Sequence, residues 1–429
     1  MILNRLKNSS FAKDTILTFT TQLIVMILGF AMNKILAIKF GIADFGIFNI
    51  AKRGGSVISF VLLMGLGISI PRYLSMSIAS QKNGGEKYYS SGIFIILVNS
   101  VAALIIGFCF RNEIAIILFD SNKYATYIFP ILLFAIGMTV STFMYGAYRG
   151  SGLYVSYSVA QIIGQILIVV TVFVSFTVKS TILNWGLVTI VFTIVLVLHA
   201  YYMKKNGGNY LNLEFKFKFF PIEVRELVSY GAPRIIGEIV QFSYYLVPLI
   251  LINRSYNAVQ VGMFSASTSI LQMFLPFFSY LGLILLPYVS TNIVQKRFGI
   301  VNSRINRLMV IYLIVAALAI VFGSVYTDSL LKILFSSDFL KSQDIVRILL
   351  LTLVPRSVFL LLRNPIDAIS KIPYNTYLLA CSFGLLILAI LYSSNLQMIA
   401  WSFVVSDTLL AVGSIATWYL LKKKFEEKS

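Results

Sequence analysis

Six ionisable residues interrupt the long apolar runs of this 429-residue chain: Lys52, Arg53, Arg234, Glu238, Arg356 and Asp407. A charge near the middle of a membrane-spanning helix costs about 2.5–3.5 kcal/mol on insertion scales, so it tends to face a wet cavity, a partner or a ligand. At 1.5 Å per residue, these six lie roughly 8–15 Å in from the ends of their runs. Lys34 and Arg347 sit within about one turn of a run's end, where a long stem can carry the charge to the interface. Lys52, Arg53, Arg234 and Arg356 are therefore the candidate contacts for an anionic ligand such as a phosphate or pyrophosphate. Glu238 and Asp407 have the chemistry to carry a coupling proton or sodium ion, or to pair with a cation. Arg234 and Glu238 stand at i, i+4, on one helix face. Pro233 and Pro355 each precede one of the arginines and remove the hydrogen bonds to the carbonyls of Ser229 and Leu351, which predicts bends there.

Enzyme chemistry finds little material. The single His, His199, falls at the end of an apolar run, where an interfacial role is expected. Paired carboxylates, a nucleophile elbow, a phosphate-cradling glycine loop and a metal-ligand cluster are all missing from the sequence. Both Cys, Cys109 and Cys381, lie in apolar runs, so neither a disulfide framework nor a Cys-rich metal site is available. No cofactor is implied beyond coupling to an H+ or Na+ gradient. The loops on the outer side are short, which leaves no room for the catalytic loop that a membrane glycan polymerase would need.

The elements that must position these charges are membrane helices. The chain is 58% hydrophobic and 12% charged, about half the charge of a soluble domain. Apolar windows long enough for about 30 Å of hydrocarbon fall near 15–38, 47–71, 92–110, 125–147, 154–178 and 183–203. They resume near 227–252, 262–289, 308–326, 343–362, 374–393 and 398–421. The expected fold is therefore an all-α polytopic membrane protein with 12 transmembrane helices. It divides into an N-lobe (1–203), a basic, aromatic interlobe linker (204–226) on the inner membrane surface, and a C-lobe (227–429). Of the 35 Lys and Arg, 22 fall in segments on one side, with clusters at Lys204–Lys205, Lys296–Arg297 and Lys422–Lys424, against 7 on the other. The positive-inside rule puts both termini in the cytoplasm. Topology and contact with anionic membrane lipids account for the net charge of +19, without nucleic acid. Trp185, Trp401 and Trp418 fall near helix ends, where an aromatic belt would place them.

A repeat organises the windows. An offset of 216 carries Gly46 onto Gly262, Phe48 onto Phe264, Pro71 onto Pro287, Ile117–Phe119 onto Ile333–Phe335 and Trp185 onto Trp401. Rare residues recurring at turns and helix ends mark a tandem duplication. Six helices per copy give both copies one orientation, a parallel repeat about an axis along the membrane normal. The charges do not repeat: Lys52 and Arg53 map onto Thr268 and Ser269, while Arg234, Glu238 and Asp407 map back onto Thr18, Gln22 and Val191. Asymmetric charges on a symmetric frame imply an asymmetric ligand.

The stretch Asn33, Lys39-Phe40-Gly41, Asp44-Phe45-Gly46 and Phe48, the ending Pro71-Arg72-Tyr73, and Tyr230-Gly231-Ala232-Pro233 carry a resemblance. The chain resembles the Wzx-type flippases of O-antigen and capsule repeat units, in the multidrug/oligosaccharidyl-lipid/polysaccharide superfamily. The resemblance implies two six-helix lobes around a central, often cationic cavity in the bacterial inner membrane. The implied substrate is a polyprenyl-pyrophosphate-linked oligosaccharide, moved from the cytoplasmic to the outer leaflet by alternating access. It also implies polysaccharide polymerase machinery as a partner. Within the superfamily the alternatives are a cation-coupled multidrug exporter, expected to carry more intramembrane acids, and a peptidoglycan-precursor flippase, which commonly has fourteen helices.

Overall fold

In the computed structural model, the structure describes residues 10–79, 85–205, 218–294, 298–370 and 372–426. Among them every regular element is helical and no strand occurs. The α-helices run in the order α1 (Ser10–Leu63), α2 (Leu66–Ala79), α3 (Gly85–Cys109), α4 (Arg111–Phe119), α5 (Ala125–Gly150), α6 (Tyr154–Val174), α7 (Val178–Lys205), α8 (Pro221–Ser255), α9 (Ala258–Val294), α10 (Phe298–Val325), α11 (Thr327–Leu334), α12 (Gln343–Leu350), α13 (Leu353–Ile369), α14 (Tyr374–Leu391) and α15 (Leu396–Glu426). Short 3₁₀ turns at Asn122–Tyr124 and Ser337–Ser342 complete the set.

Ten helices are long and apolar enough to cross a membrane among the described residues, or eleven if the bent pair Ser337–Leu350 and Leu353–Ile369 is one span. Two of the expected windows, 15–38 and 47–71, are not separate elements. They form the 54-residue α1, interrupted only where Gly41 leaves helical geometry at φ 73° and ψ −177°. Positive φ is a conformation that glycine adopts without a steric cost. The second window breaks again at Met64 and Gly65, with φ of 47° and 73°, and resumes as α2. The tenth window is bent by 47°. That break falls at Leu351–Thr352, so Pro355 lies in the first turn of α13, where its missing N–H costs nothing. Of the expected linker, residues 206–217 lie outside the described residues.

The chain divides into two compact units, Met1–Phe40 with Ile47–Phe242, and Gly41–Gly46 with Ser243–Ser429. In the first, α5 lies along α7 and α2. The crossing is close because glycines face it. A Cβ on Gly186 would stand 2.7 Å from the Phe134 nitrogen, and one on Gly150 2.7 Å from the Pro71 Cα. The core gathers Leu63, Leu66, Ile70, Tyr89, Phe143, Tyr148, Phe192 and Leu227. Leu227 belongs to α8, whose residues up to Phe242 fall in this unit. A Cβ on Gly65 would come within 2.6 Å of the Gly231 backbone, so the break in the second window is where α8 seats. The start of α8 is tied further by Tyr88 donating to Glu226 (2.5 Å), by Lys87 and Glu223 at 3.7 Å, and by the Arg72 guanidinium 4.2 Å from the Tyr230 ring.

In the second unit α13 is central, packed on α9, α10 and α15, with α14 lying on α15. Val358, Leu362 and Ile366 of α13 share a core with Val301, Ile305, Ala411 and Trp418. Gly41–Gly46 belongs here. Phe45 sets its ring edge-on to Phe335 (5.5 Å) and Phe339 (5.4 Å), while a Cβ on Gly46 would stand 2.5 Å from the Ala258 carbonyl and 2.7 Å from the Gly262 nitrogen. The repeat-related glycines 46 and 262 thus pack on one another.

Candidate functional site

Four of the six deep charges fall at two places, Lys52 and Arg53 in the first unit and Arg356 and Asp407 in the second. In the first unit Lys52, on α1, points its ammonium over the Trp185 ring of α7 at 5.9 Å, inside the limit of about 6 Å for a cation–π contact. Trp185 in turn stacks on Phe48 at 5.7 Å and 13° and leans on Phe134 at 4.6 Å. It is 5% exposed, so the aromatic-belt role expected of it is wrong. Its indole is the buried wall that aims Lys52, because Phe48, four residues before Lys52, shares that helix face. Arg53 follows directly, and both cations are half-buried.

Their repeat counterparts differ in chemistry. Thr268 and Ser269 on α9 are buried, and their hydroxyls donate to carbonyls of their own helix, Phe264 at 3.0 Å and Ser265 at 2.8 Å. Trp401 is 48% exposed, as a belt residue would be, whereas Trp418 is 7% exposed and packs in the core of the second unit. The expectation fails for Trp418 as it does for Trp185, since both rings find a packed cluster.

In the second unit Arg356 and Asp407 come together. Arg356 Nη1 donates to Asp407 Oδ1 at 2.8 Å, with the two side chains 5% and 2% exposed. The Tyr244 hydroxyl donates to the same oxygen at 2.9 Å and lies 2.7 Å from Ser406 Oγ and 3.2 Å from Ser382 Oγ. Ser382 donates to the Ser406 carbonyl at 2.9 Å. The guanidinium also lies 4.8 Å from the Tyr244 ring centre. Four helices, α8, α13, α14 and α15, thereby share one polar knot. Asp407 is held by charge pairing, and Arg356 is engaged with it in this conformation.

Arg234 lies in α8, but its side chain is outside the described residues. Glu238 is half-buried one turn later. Arg347 is exposed and 3.6 Å from Asp344, in keeping with a surface position. Among the described residues no group of three or more His, Cys, Asp or Glu is placed to hold a metal ion. Tyr244, Ser382, Ser406 and Trp185 went unrecognised as site residues. The first three carry no charge and come from separate helices, so only the fold joins them.

Comparison with known proteins supplies the deciding observation. The profile of the family described as "Polysaccharide biosynthesis protein" matches residues 11–293. The chain belongs to that family. No curated protein matches it. Among solved structures, it is similar to an inward-facing multidrug resistance MATE transporter of the MOP superfamily, with a TM-score of 0.78, 12% identity and 96% of each chain covered. It is also similar to a MATE protein in complex with MaL6 (0.66, 15%, 97% of each chain). A third is a MOP superfamily transporter from Pyrococcus furiosus described by the reverse polarity of its binding pocket (0.68, 14%, 95% of each chain). At these identities the likeness establishes the fold, a two-lobed, multi-pass helical membrane protein, as the sequence resemblance implied. The family match spans α1 to α9 and so includes Lys52, Arg53, Arg234 and Glu238.

Proposed function

We propose that this polysaccharide biosynthesis protein is a flippase. It carries polyprenyl-pyrophosphate-linked oligosaccharide repeat units, of O-antigen or capsule, from the cytoplasmic to the outer leaflet of the bacterial inner membrane by alternating access. The family match is the observation that carries this reading, since the transporter fold combined with polysaccharide assembly calls for a lipid-linked sugar as cargo. In this reading α1 crosses the membrane twice, turning at Gly41, which brings the total to twelve crossings with both termini cytoplasmic.

A pyrophosphate linker carries about two negative charges and needs replacement partners on leaving the headgroup region, because an unpaired ion bears a heavy desolvation cost. Lys52 and Arg53 are the leading partners, since the Trp185 wall holds the ammonium in place within a span. Arg234 is the third. Arg356 serves only if Asp407 releases it, and Glu238 is then the acid left to carry a coupling proton or sodium ion. The test neutralises Lys52 and Arg53 to Gln in cells that depend on this chain for surface polysaccharide. Polysaccharide should fall while the protein still inserts, with lipid-linked repeat units building up on the inner leaflet. Unchanged polysaccharide together with drug export by the purified protein would move the assignment to a multidrug exporter. Sugar-chain growth by the purified protein would move it to a polymerase.

A further inference from the structure

In the first unit α1, α5, α6 and α7 surround a cavity of about 150 Å³. Its polar lining is Ser141, Thr142, Tyr145, Gln161, Gln165 and Thr189, and none of its lining residues carries a charge. Gln161 and Gln165 stand at i, i+4 on one face of α6. Gly164 beside them keeps the space open, since a Cβ there would come 3.0 Å from the Tyr145 hydroxyl and 3.1 Å from the Phe192 ring. Gln22 of α1 donates to the Tyr157 hydroxyl at 3.1 Å and to the Gln161 carbonyl oxygen at 2.8 Å, which leaves the Gln161 amide nitrogen as a donor. The Thr189 hydroxyl donates to the Trp185 carbonyl at 2.7 Å. The other polar groups are not satisfied in this way. Ser141 Oγ is buried without a partner, and no hydrogen bond joins the Thr142, Tyr145 or Gln165 side chain to another described residue. Unmade hydrogen bonds are costly away from bulk water. The second unit closes its polar groups on themselves: Ser357, the counterpart of Ser141 at the offset of 216, donates to the Val354 carbonyl at 2.8 Å, and Tyr244 engages Ser406 and Asp407.

The lining selects the chemistry of a ligand. Without a charge in it, neither an anionic headgroup nor a bare cation finds a counter-ion there. A carboxamide offers donors and an acceptor along one edge, so it pairs two-pronged with the N–H and C=O of another amide, and the hydroxyls beside it suit further hydroxyls. Ile168, Val188 and Phe192 add an apolar wall, which a methyl group covers and water or a hydroxyl does not. At ~30 Å³ of liquid volume per molecule, the cavity equals about five waters, space for an acetamido group and the edge of the ring that bears it.

We propose that this cavity binds the acetamido group of an N-acetylated amino sugar. The saccharide nature of the cargo rests on the function proposed above, while the acetamido group follows from the lining. The test is a saturation-transfer NMR titration of the full chain in phosphatidylcholine nanodiscs with the methyl glycosides of N-acetylglucosamine and N-acetylgalactosamine, beside those of glucose and galactose. At least one acetamido sugar should bind, with its acetyl methyl protons saturated most strongly and a Kd at least about tenfold below that of the matching plain sugar. Gln165→Leu should weaken that binding about tenfold and the near-isosteric Thr142→Val several-fold, whereas Lys52→Gln, outside the cavity lining, should change it less than about twofold. Failure of both acetamido sugars to bind would overturn the proposal. Equal binding of the plain sugars would overturn it in favour of a site for hydroxyls alone. Acetamido binding that Gln165→Leu and Thr142→Val both leave unchanged would overturn the cavity as its place. The flippase assignment is read separately, from surface polysaccharide in cells, and stands through each of these failures. Acetamido binding by a chain whose deletion leaves surface polysaccharide intact would overturn that assignment, and with it the sugar as cargo.

Discussion

Asp407 lies in an apolar bundle with Arg356 and Tyr244 both donating to one of its oxygens, at 2.8 and 2.9 Å. Removing one member of such a buried pair leaves an uncompensated ion, typically at a cost of about 3–5 kcal/mol, whereas replacing both by apolar groups is often neutral. Asp407→Leu alone should therefore lower the unfolding temperature in detergent sharply, and Arg356→Met with Asp407→Leu should recover most of the loss. Equal losses in the single and double variants would show that an unpaired Arg356 is not the source of the loss. Lys52 makes a contrasting case, because its partner is a ring and not a counter-ion. Lys52→Arg retains charge and cation–π contact and should preserve surface polysaccharide, while Lys52→Gln should reduce it several-fold with expression unchanged. Both residues were legible in the sequence as costly charges. The Arg356–Asp407 partnership was not, since the two are 51 residues apart on helices whose mutual placement no local pattern encodes.

At the level of elements, apolar length located the helices and missed their interruptions. Gly41 was readable as a turn, being the one residue type at ease with positive φ. The break at Met64, also at positive φ, was not, because that conformation is disfavoured for a side chain like methionine and is held by its surroundings. Those surroundings are the close approach of Gly65 and Gly231. The glycine contacts give a graded prediction. A Cβ on Gly262 would lie against the Ile42 carbonyl, a backbone atom that cannot step aside, whereas Gly299 has nothing within 4 Å. Gly262→Ala should thus destabilise by about 1–3 kcal/mol, the usual range for overpacking. Gly299→Ala should be neutral or slightly stabilising, helix propensity favouring Ala by up to about 1 kcal/mol. Thermal unfolding of the two variants beside the parent tests this, and similar losses in both would remove the steric argument. Gly46 and Gly262 share one explanation, since each meets the other's segment and neither has room for a side chain.

For the whole molecule, the distribution of Lys and Arg and the breaks in α1 bear on the same question, how many times the chain crosses. At 1.5 Å per residue the 54 residues of α1 would reach about 81 Å as a straight rod, well over twice the ~30 Å hydrocarbon thickness. One crossing would leave roughly 50 Å of apolar helix in water. On the reading proposed above, a turn at Gly41 would fold that length into two crossings and put fusion positions Asp44 and Gly84 on opposite faces. On that reading the parity would carry through the chain, so that fusions at Gly152, in the turn between α5 and α6, and at Gly207 would share a side with Gly84, and those at Asn122, Lys179 and Asn395 a side with Asp44. The basic clusters at Lys204–Lys205 and Lys422–Lys424 would then fall on the Gly84 side, which the positive-inside rule would make the cytoplasmic one. Reporter fusions should accordingly give cytoplasmic signal at Gly84, Gly152 and Gly207, and outer-side signal at Asp44, Asn122, Lys179 and Asn395. Asp44 and Gly84 reporting the same side would mean that α1 crosses once, and every later position would invert. A mismatch confined to Asn395 would instead show that the bent pair α12–α13 enters and leaves by one face, and the two copies of the repeat would then not share an orientation.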